Sequence, residues 1–428
     1  MDAEIGPDGT AESAGSTLLA PPRRPSTGVR VLSGFGRSVV ALAAVGVLAV
    51  TGYNWTVVHN LDRGIARTDV FSNNKIAPTG GNTAPTVPPL TSDVNILLVG
   101  LDSRTDPHGN PLPANELAML NAGPNTGELN TDTMILVHIP AGGQQATAIS
   151  FPRDAYVQIA GGFGKDRLNA AFAYGHNAAA SRLRGQGVTD PVQIEQQADT
   201  AGRQNLIATI EQLIGNTVTI NRYAEINLAG FYQMSLAVGG IQVCLKAATH
   251  DDYTGASFPA GVQTISGVQA LNFVRQRHGL PAGDLDRIVR QQVFLSGLAA
   301  KMLSAGTLTS PSKVSALINA VQNSITLSSG WDITGFALQM QGLTSGAIQF
   351  ATIPMGNNVL INGADVTLND PAAITSFVKG LVNPAPPTPG TPNYDGGSPV
   401  VTNTTAPPAP PAPTTTGPIT ANGLRCVN

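Results

Sequence analysis

The sequence predicts an α/β fold class, a central mixed β-sheet covered by helices in an α/β/α arrangement, and three observations predict it. Between about Asp93 and Val382, short apolar runs rich in β-branched residues alternate with longer segments of helical spacing. No repeat of fixed period runs through the chain, which removes solenoids and propellers. Pro- and Gly-rich stretches bound this region on both sides, so one large domain with appendages accounts for the 428 residues.

The elements follow in order. Residues 1–37 hold Gly, Pro, Ser and acidic residues without apolar periodicity and read as a disordered cytoplasmic tail. Residues 38–58, "SVVALAAVGVLAVTGYNWTVV", are charge-poor and reach the roughly 20 residues a helix needs to cross hydrocarbon. Arg23, Arg24, Arg30 and Arg37 precede the run and Tyr53 and Trp55 close it. That bias predicts a single-pass anchor with its N-terminus in the cytoplasm and the body of the chain outside the cell membrane. The competing reading, a cleaved signal peptide, fits less well because the run begins late and lacks a small-x-small cleavage pattern.

Residues 59–92 form a Pro/Gly/Thr/Asn linker, and a single domain is expected over residues 93–382. Within it "NILLVGLD", "TMILVHI", "ATAISF", "TVTINRYAEI", "IQVCL" and "AIQFATI" have buried-strand character. "RQNLIATIEQLIG", "LAGFYQMSLAVG" and "DLDRIVRQQVFLSGLAAKML" have helical spacing. Residues 383–428 begin as a spacer, with twelve of the 32 prolines between Pro384 and Pro418, and end on "ITANGLRCVN", whose apolar residues and cysteine suit docking back on the domain. Cys244 and Cys426 both lie beyond the membrane segment, where a disulfide is permitted; two unrelated thiols are the alternative.

Charge and motifs exclude much. A net charge of −3 and no helix-turn-helix, zinc-finger or aromatic RNA-binding pattern argue against nucleic acid as a partner. No Walker loop, H-E-x-x-H, G-x-S-x-G or paired C-x-x-C occurs. The six histidines show no metal-ligand spacing, and His278 reads as a surface residue.

What remains is polar residues flanking apolar strands, where open α/β sheets bind ligands. "NILLVGLDSR" delivers Asp102 and Arg104, "NTDTMILVHI" carries Asp132, and "ISFPRDAY" delivers Arg153 and Asp154. "GKDRLNAAFAYG" adds Lys165, Arg167 and Asn169 ahead of a small-residue helix. In "VRQRHGLPAGDLDRIVRQQ", Arg275 and Arg277 share parity on an extended backbone, Asp284 is a candidate helix N-cap, and Arg287, Arg290 and Gln291 sit at helical spacing. Four arginines in one span of a chain that is 12% charged predict an anion pocket, against the alternative of Arg–Asp pairs with Asp284 and Asp286. Rigid guanidinium forks suit diphosphate oxygens. Asp102 and Asp132 fit such a pocket if a hard divalent cation, magnesium or manganese in its place, bridges them to phosphate.

In order and spacing, "NILLVGLDSR", "NTDTMILVHI", "ISFPRDAYV", "RLNAAFAYG", "ALNFVRQRH" and "GDLDRIVRQQ" resemble the motifs of the LytR-CpsA-Psr family of bacterial envelope proteins. The resemblance implies an enzyme that moves a glycopolymer, arabinogalactan being one candidate, from a polyprenyl diphosphate carrier to peptidoglycan, with magnesium and an apolar groove for the lipid. On the matching positions it implies Asp102 and Asp132 as metal ligands, Arg153, Arg275, Arg277 and Arg287 on the diphosphate, and Gln291 and Arg167 completing the pocket. Asp102, Asp132 and Arg153 are the catalytic candidates, and Arg104, Lys165, Asn169 and Arg290 join the substrate-binding set. Many members have lysine before the hydrophobic-Asn pair; here Arg167 stands there with Lys165 two residues earlier, which leaves two candidates for one contact. A non-catalytic diphosphate-binding or sensing protein and a lipid-linked glycan diphosphatase are the alternatives.

Overall fold

"NILLVGLD" is apolar at both parities, and such a run stays in a sheet only when both of its faces are covered. The computed structural model describes residues 65–71, 90–106, 110–124, 127, 129–143, 145–302, 325–333, 336, 339, 348–383, 419–420 and 424–428. The expected anchor at 38–58 and tail at 1–37 lie outside them. Among the described residues no helix is long and apolar enough to cross a membrane.

In chain order the first elements are β1 (Ala66–Thr68), β2 (Val94–Asp102), α1 (Ala114–Met119), β3 (Asn130–Ile139), β4 (Ala146–Ser150), β5 (Ala155–Ile159) and β6 (Gly164–Arg167). Then come α2 (Ala171–Gly185), α3 (Pro191–Leu213), β7 (Arg222–Ile226), α4 (Leu228–Ala237), β8 (Ile241–Leu245), β9 (Thr249–Asp251), β10 (Ala256–Phe258) and β11 (Gly261–Ile265). The last are α5 (Gly267–Arg275), α6 (Asp284–Met302), β12 (Ile325–Ser328), β13 (Ile348–Thr352), β14 (Asn358–Ile361), β15 (Ala364–Leu368), α7 (Pro371–Val382), β16 (Ile419–Thr420) and β17 (Cys426–Val427).

The described residues build an eight-stranded mixed sheet in the order β1-β12-β7-β2-β3-β4-β13-β16. At its centre β2 runs parallel to β7 and antiparallel to β3. Leu97, Val99 and Leu101 pack in one layer with Phe172 of α2, Leu206 and Ile210 of α3, and Ile374 and Val378 of α7. Leu98 and Ile135 point the other way, into a layer with Met234 of α4, Phe273 of α5 and Phe294 of α6. The expected α/β/α arrangement is therefore present, with both faces of the central strands buried. α3 begins where Asp190 accepts a hydrogen bond from the Val192 N–H and Pro191 takes the first helical position, a combination that starts helices. α2 and α3 pack backbone to backbone: a Cβ at Gly175 would meet the Ala201 carbonyl oxygen at 2.7 Å.

Three expectations need correction. "IQVCL" is a strand, but it lies in a separate three-stranded sheet, β11-β8-β17, because its partners are a hairpin and the chain's last residues. The segment assigned to the linker contributes a paired strand, β1 joining β12, whereas the closing residues dock back on the domain as their apolar character suggests, β16 joining β13. The backbone through Arg275 is helical, not extended; Ala270, Leu271, Phe273 and Val274 are buried, and the apolar face they make favours α5. Cys244 and Cys426 are joined in a disulfide, opposite one another in the β8/β17 ladder.

Candidate functional site

β2 and β3 bring two aspartates together by different routes. Asp102 shares parity with Leu98 and Gly100, so plain alternation carries it to the face covered by α4, α5 and α6. Asp132 has the parity of Met134 and Leu136, which pack in the opposite layer, and alternation alone would bury it there. The register slips instead: Gly100 pairs with Thr133 and Leu101 with Thr131, which leaves Asp132 unpaired in a bulge. A bulge re-aims a side chain. Asp132 accordingly lines the same groove as Asp102 and Thr133. Gly100 permits the close approach, since a Cβ there would meet the Thr133 Cβ at 3.0 Å.

The groove is a cavity of about 260 Å³ between the sheet and helices α4, α5 and α6. Leu98, Ile226, Phe231, Met234, Phe294 and Leu298 make it apolar, while Asp102, Asp132, Thr133, Glu225, Asn227, Arg275, Arg287 and Gln291 supply its polar groups. An apolar slot with a few convergent charges is the usual form of a site for an amphipathic ligand.

Beside it guanidinium and carboxylate groups alternate. Arg153 lies 3.0 Å from Asp132, 3.5 Å from Asp154 and 3.4 Å from Asp284. Arg287 meets Asp284 at 2.7 Å, and Arg167 stands 3.9 Å from Asp154. Burial alone would raise the Asp132 carboxyl, yet Arg153, with Arg287 and Arg275 behind it, holds it below the usual carboxylate range. Asp284 goes the other way: burial, helped by Asp154 and Asp132, pushes it up against the pull of Arg287 and Arg153. Burial also draws Arg287 down. Asn169 is buried below, its N–H donating to the Arg153 carbonyl at 3.1 Å. The buried Nε atoms of Arg167 and Arg287 have no hydrogen-bond partner among the described residues, so the cluster retains donors for an anion.

The remaining candidates divide. Arg275 lines the groove and its Nη1 donates to the carbonyls of Leu120 and Asn121, each at 3.2 Å, tying α5 to the loop after α1. Gln291 lines the groove and donates to the Val274 carbonyl at 3.2 Å. Arg277 is exposed beyond the end of α5 and is not among the groove's lining residues. Of the two competing cations, Arg167 reaches the cluster through Asp154, whereas Lys165 is exposed on β6. Arg104 is buried and fixes the local chain, donating to the Ala122 carbonyl at 2.8 and 3.1 Å and pairing with Asp102 at 3.2 Å.

Arg290 is a correction. It is fully buried over the Phe273 ring and donates to Asn428 O, Gln276 Oε1 and Thr249 Oγ1, so it clamps the docked C-terminal strand and does not line the groove. The Arg–Asp alternative holds in part, because Asp284 pairs with Arg287 and Arg153. Asp284 is the first helical residue of α6, not a cap outside it. Its role in the cluster was signalled only by its place ahead of the arginines.

The profile of the LytR_cpsA_psr family matches residues 67–381. The chain is 43% identical over 319 residues, 74% of its own length, to the cell wall biosynthesis protein LcpA of Corynebacterium glutamicum, and it spans 60% of that relative's length. It is 30% identical over 195 residues, 46% of its length and 54% of the relative's, to the polyisoprenyl-teichoic acid–peptidoglycan teichoic acid transferase TagU of Enterococcus faecalis. The crystal structure of protein gbs0355 from Streptococcus agalactiae superposes with a TM-score of 0.50 at 22% identity, covering 68% of this chain and 87% of that one, which supports the fold. Six ordered motifs, the sheet that carries them and the profile spanning most of the described domain agree: the chain belongs to the LytR-CpsA-Psr family.

Proposed function

We propose that the protein transfers a cell-wall glycopolymer from a polyprenyl diphosphate carrier to peptidoglycan. The observation that carries this reading is the junction of an apolar groove with the Arg153–Arg287 cluster, a shape that takes a hydrocarbon tail and a diphosphate in one ligand. The names of LcpA and TagU, a cell wall biosynthesis protein and a teichoic acid transferase, support the same class of reaction.

A hydroxyl oxygen of peptidoglycan attacks the glycan-side phosphorus, the bond from that phosphorus to the bridging oxygen breaks, and polyprenyl phosphate leaves. A phosphodiester results, and the energy comes from the diphosphate. Arg275 and Arg287 bind its oxygens and orient the phosphorus, which is most of what phosphoryl transfer asks of a protein. Asp102, at the end of β2, takes the hydroxyl proton. Arg153 offsets part of the charge of the three carboxylates around it and lessens their repulsion of the substrate. Two carboxylates on one groove wall form a hard oxygen donor set, so Asp102 and Asp132 would hold magnesium. Bound there, the ion would offset charge on the phosphates.

A second cavity, about 310 Å³, is lined by Asp154 and Asp284 of the cluster and by Asn357, Asn358, Asp365 and Thr367. Its lining is half polar and half apolar, with Pro152, Leu285, Met355 and Val366 beside the polar groups, a mixture that suits the two faces of a sugar ring, and we assign it to the acceptor strand. With residues 38–58 as an anchor, the domain works on the outer side of the cytoplasmic membrane, where peptidoglycan lies.

The test is transfer from a polyprenyl-diphosphate glycan to a peptidoglycan acceptor, with and without magnesium, in the wild type, Asp102→Asn and Asp132→Asn. Metal-dependent transfer lost in both variants at unchanged Tm is the expected result. Retained transfer would remove the proposed roles of the two aspartates. Free glycan phosphate as sole product would make the protein a diphosphatase, and binding without turnover a sensor.

A further inference from the structure

On the other side of the sheet α2 and α3 hold a second constellation. Glu195 and Asp199 are one turn apart on α3, and His176 faces them from α2 across the close Gly175 contact. His176 Nε2 lies 3.3 Å from Glu195 Oε1 and 3.7 Å from Asp199 Oδ1, and the three donor atoms fall within 4.8 Å of one another. His176 is only 6% exposed, yet its Nε2 makes no hydrogen bond. The ring nitrogen points between the two carboxylates, aligned for a hydrogen bond with neither, and a proton on the ring or a cation between the three would serve that geometry.

We propose that His176, Glu195 and Asp199 bind a divalent metal ion of the zinc type. Bonds of about 2.0 Å in a tetrahedral zinc site set donor atoms about 3.3 Å apart, close to the separations found here. One imidazole with two carboxylates favours zinc over magnesium, which prefers oxygen alone. The surroundings orient the ligands. His176 Nδ1 is 3.2 Å from Asn177 Oδ1, a contact that fixes the ring when Nδ1 carries the proton and leaves the Nε2 lone pair for the metal. Arg203 Nη2 holds the Asp199 Oδ2 at 3.4 Å, so Oδ1 faces the histidine.

The charge balance agrees. Arg203 is engaged by Glu225 through Nε–Oε2 at 3.0 Å and Nη2–Oε1 at 2.8 Å. Glu195, at the exposed edge, with Asp199 and Glu225 against Arg203 leaves the constellation at −2, the charge a divalent ion cancels; Arg184 acts on Glu195 from the exposed rim. A polar cavity of about 20 Å³ adjoins Glu195 and Asp199, enough for the water that would complete the coordination. Because Glu225 also lines the groove, the ion would brace the wall of the lipid slot from behind.

The experiment uses the full-length chain without an affinity tag, stripped with chelator, titrated with zinc chloride in excess magnesium, and followed by calorimetry and thermal unfolding. One equivalent of zinc should bind and raise Tm. Glu195→Gln, at a position 37% exposed and so tolerant of the change, should weaken zinc binding by about tenfold or more and abolish the Tm rise. His176→Gln should do the same, and Asp102→Asn, outside the constellation, should still bind one equivalent. Cobalt in place of zinc should give a visible d–d spectrum in the wild type that Glu195→Gln lacks. The proposal is overturned if the wild type takes up no zinc, or if Glu195→Gln binds it as the wild type does.

Discussion

Arg153 offers the sharpest separation of stability from catalysis. Replacing it by Met keeps the aliphatic stem and removes the charge that Asp132, Asp154 and Asp284 share. Stripping one partner from a buried ion pair costs about 3–5 kcal/mol. Asp132 and Asp284 are still 33% and 24% exposed, so water screens part of the loss, and a figure of about 2–4 kcal/mol applies. For a domain of this size that lowers Tm by about 5–10 °C. Differential scanning calorimetry at neutral pH measures it. Adding Asp132→Asn to the same chain should recover part of the loss, because it removes one of the stranded charges. Arg275→Met, which breaks bonds to two loop carbonyls and no ion pair, should leave Tm nearly unchanged while weakening diphosphate binding about tenfold. An Arg153→Met chain with wild-type Tm would refute the view that this guanidinium holds the carboxylates together.

Three further outcomes are expected. Leu295→Trp, on the groove wall, should weaken binding of a long-chain polyprenyl diphosphate and leave a short-chain analogue unaffected; equal loss of both, measured by competition, would place the lipid elsewhere. Cys426→Ser opens a link across 182 residues, for which the chain-entropy account gives at most about 4–5 kcal/mol, and it should free residues 424–428 to proteolysis; resistance to carboxypeptidase equal to the wild type would mean that the Arg290 contacts suffice. His138 is buried against Asn95 and burial holds it below its usual 6.5, so the unfolded chain takes up the proton first. The stability it protects is therefore whole above pH 6.5 and falls as the pH drops below that. His138→Gln should flatten the decline of Tm with acid, and an identical slope would count against it.

How much of this was legible in the sequence depends on how local the cause is. β2, β3 and β4 could be read because their apolar runs are buried on both faces whatever their neighbours are. That Asp102 lines the groove and Arg153 stands beside Asp132 could be expected because both follow apolar strands, and strand ends are where such sheets bind ligands. Arg290 was misplaced because it stands one helical turn from Arg287, and nothing near it reveals that the strand ending 138 residues later covers that side of α6. The opposite error hid His176. Its partners come from the next helix, 19 residues on, so no spacing motif contains all three, and only the packing of Gly175 against α3 brings them together. β5, β6, β14 and β15 are short and half exposed, and their pairing is decided by one another rather than by pattern.

The bulge at Asp132 has a consequence for how such a chain can change. Alternation in a strand works like a two-stroke clock, and one unpaired residue resets its phase for everything beyond it. Deleting the single residue between Thr131 and Thr133, which is Asp132 itself, would bring the clock back into step and take its carboxylate out of the groove. The chemistry would vanish although every reacting group except one remained in place. Point substitutions can therefore tune this site gradually, whereas length changes in β3 are all-or-nothing, and this strand is expected to tolerate altered side chains far more readily than altered length.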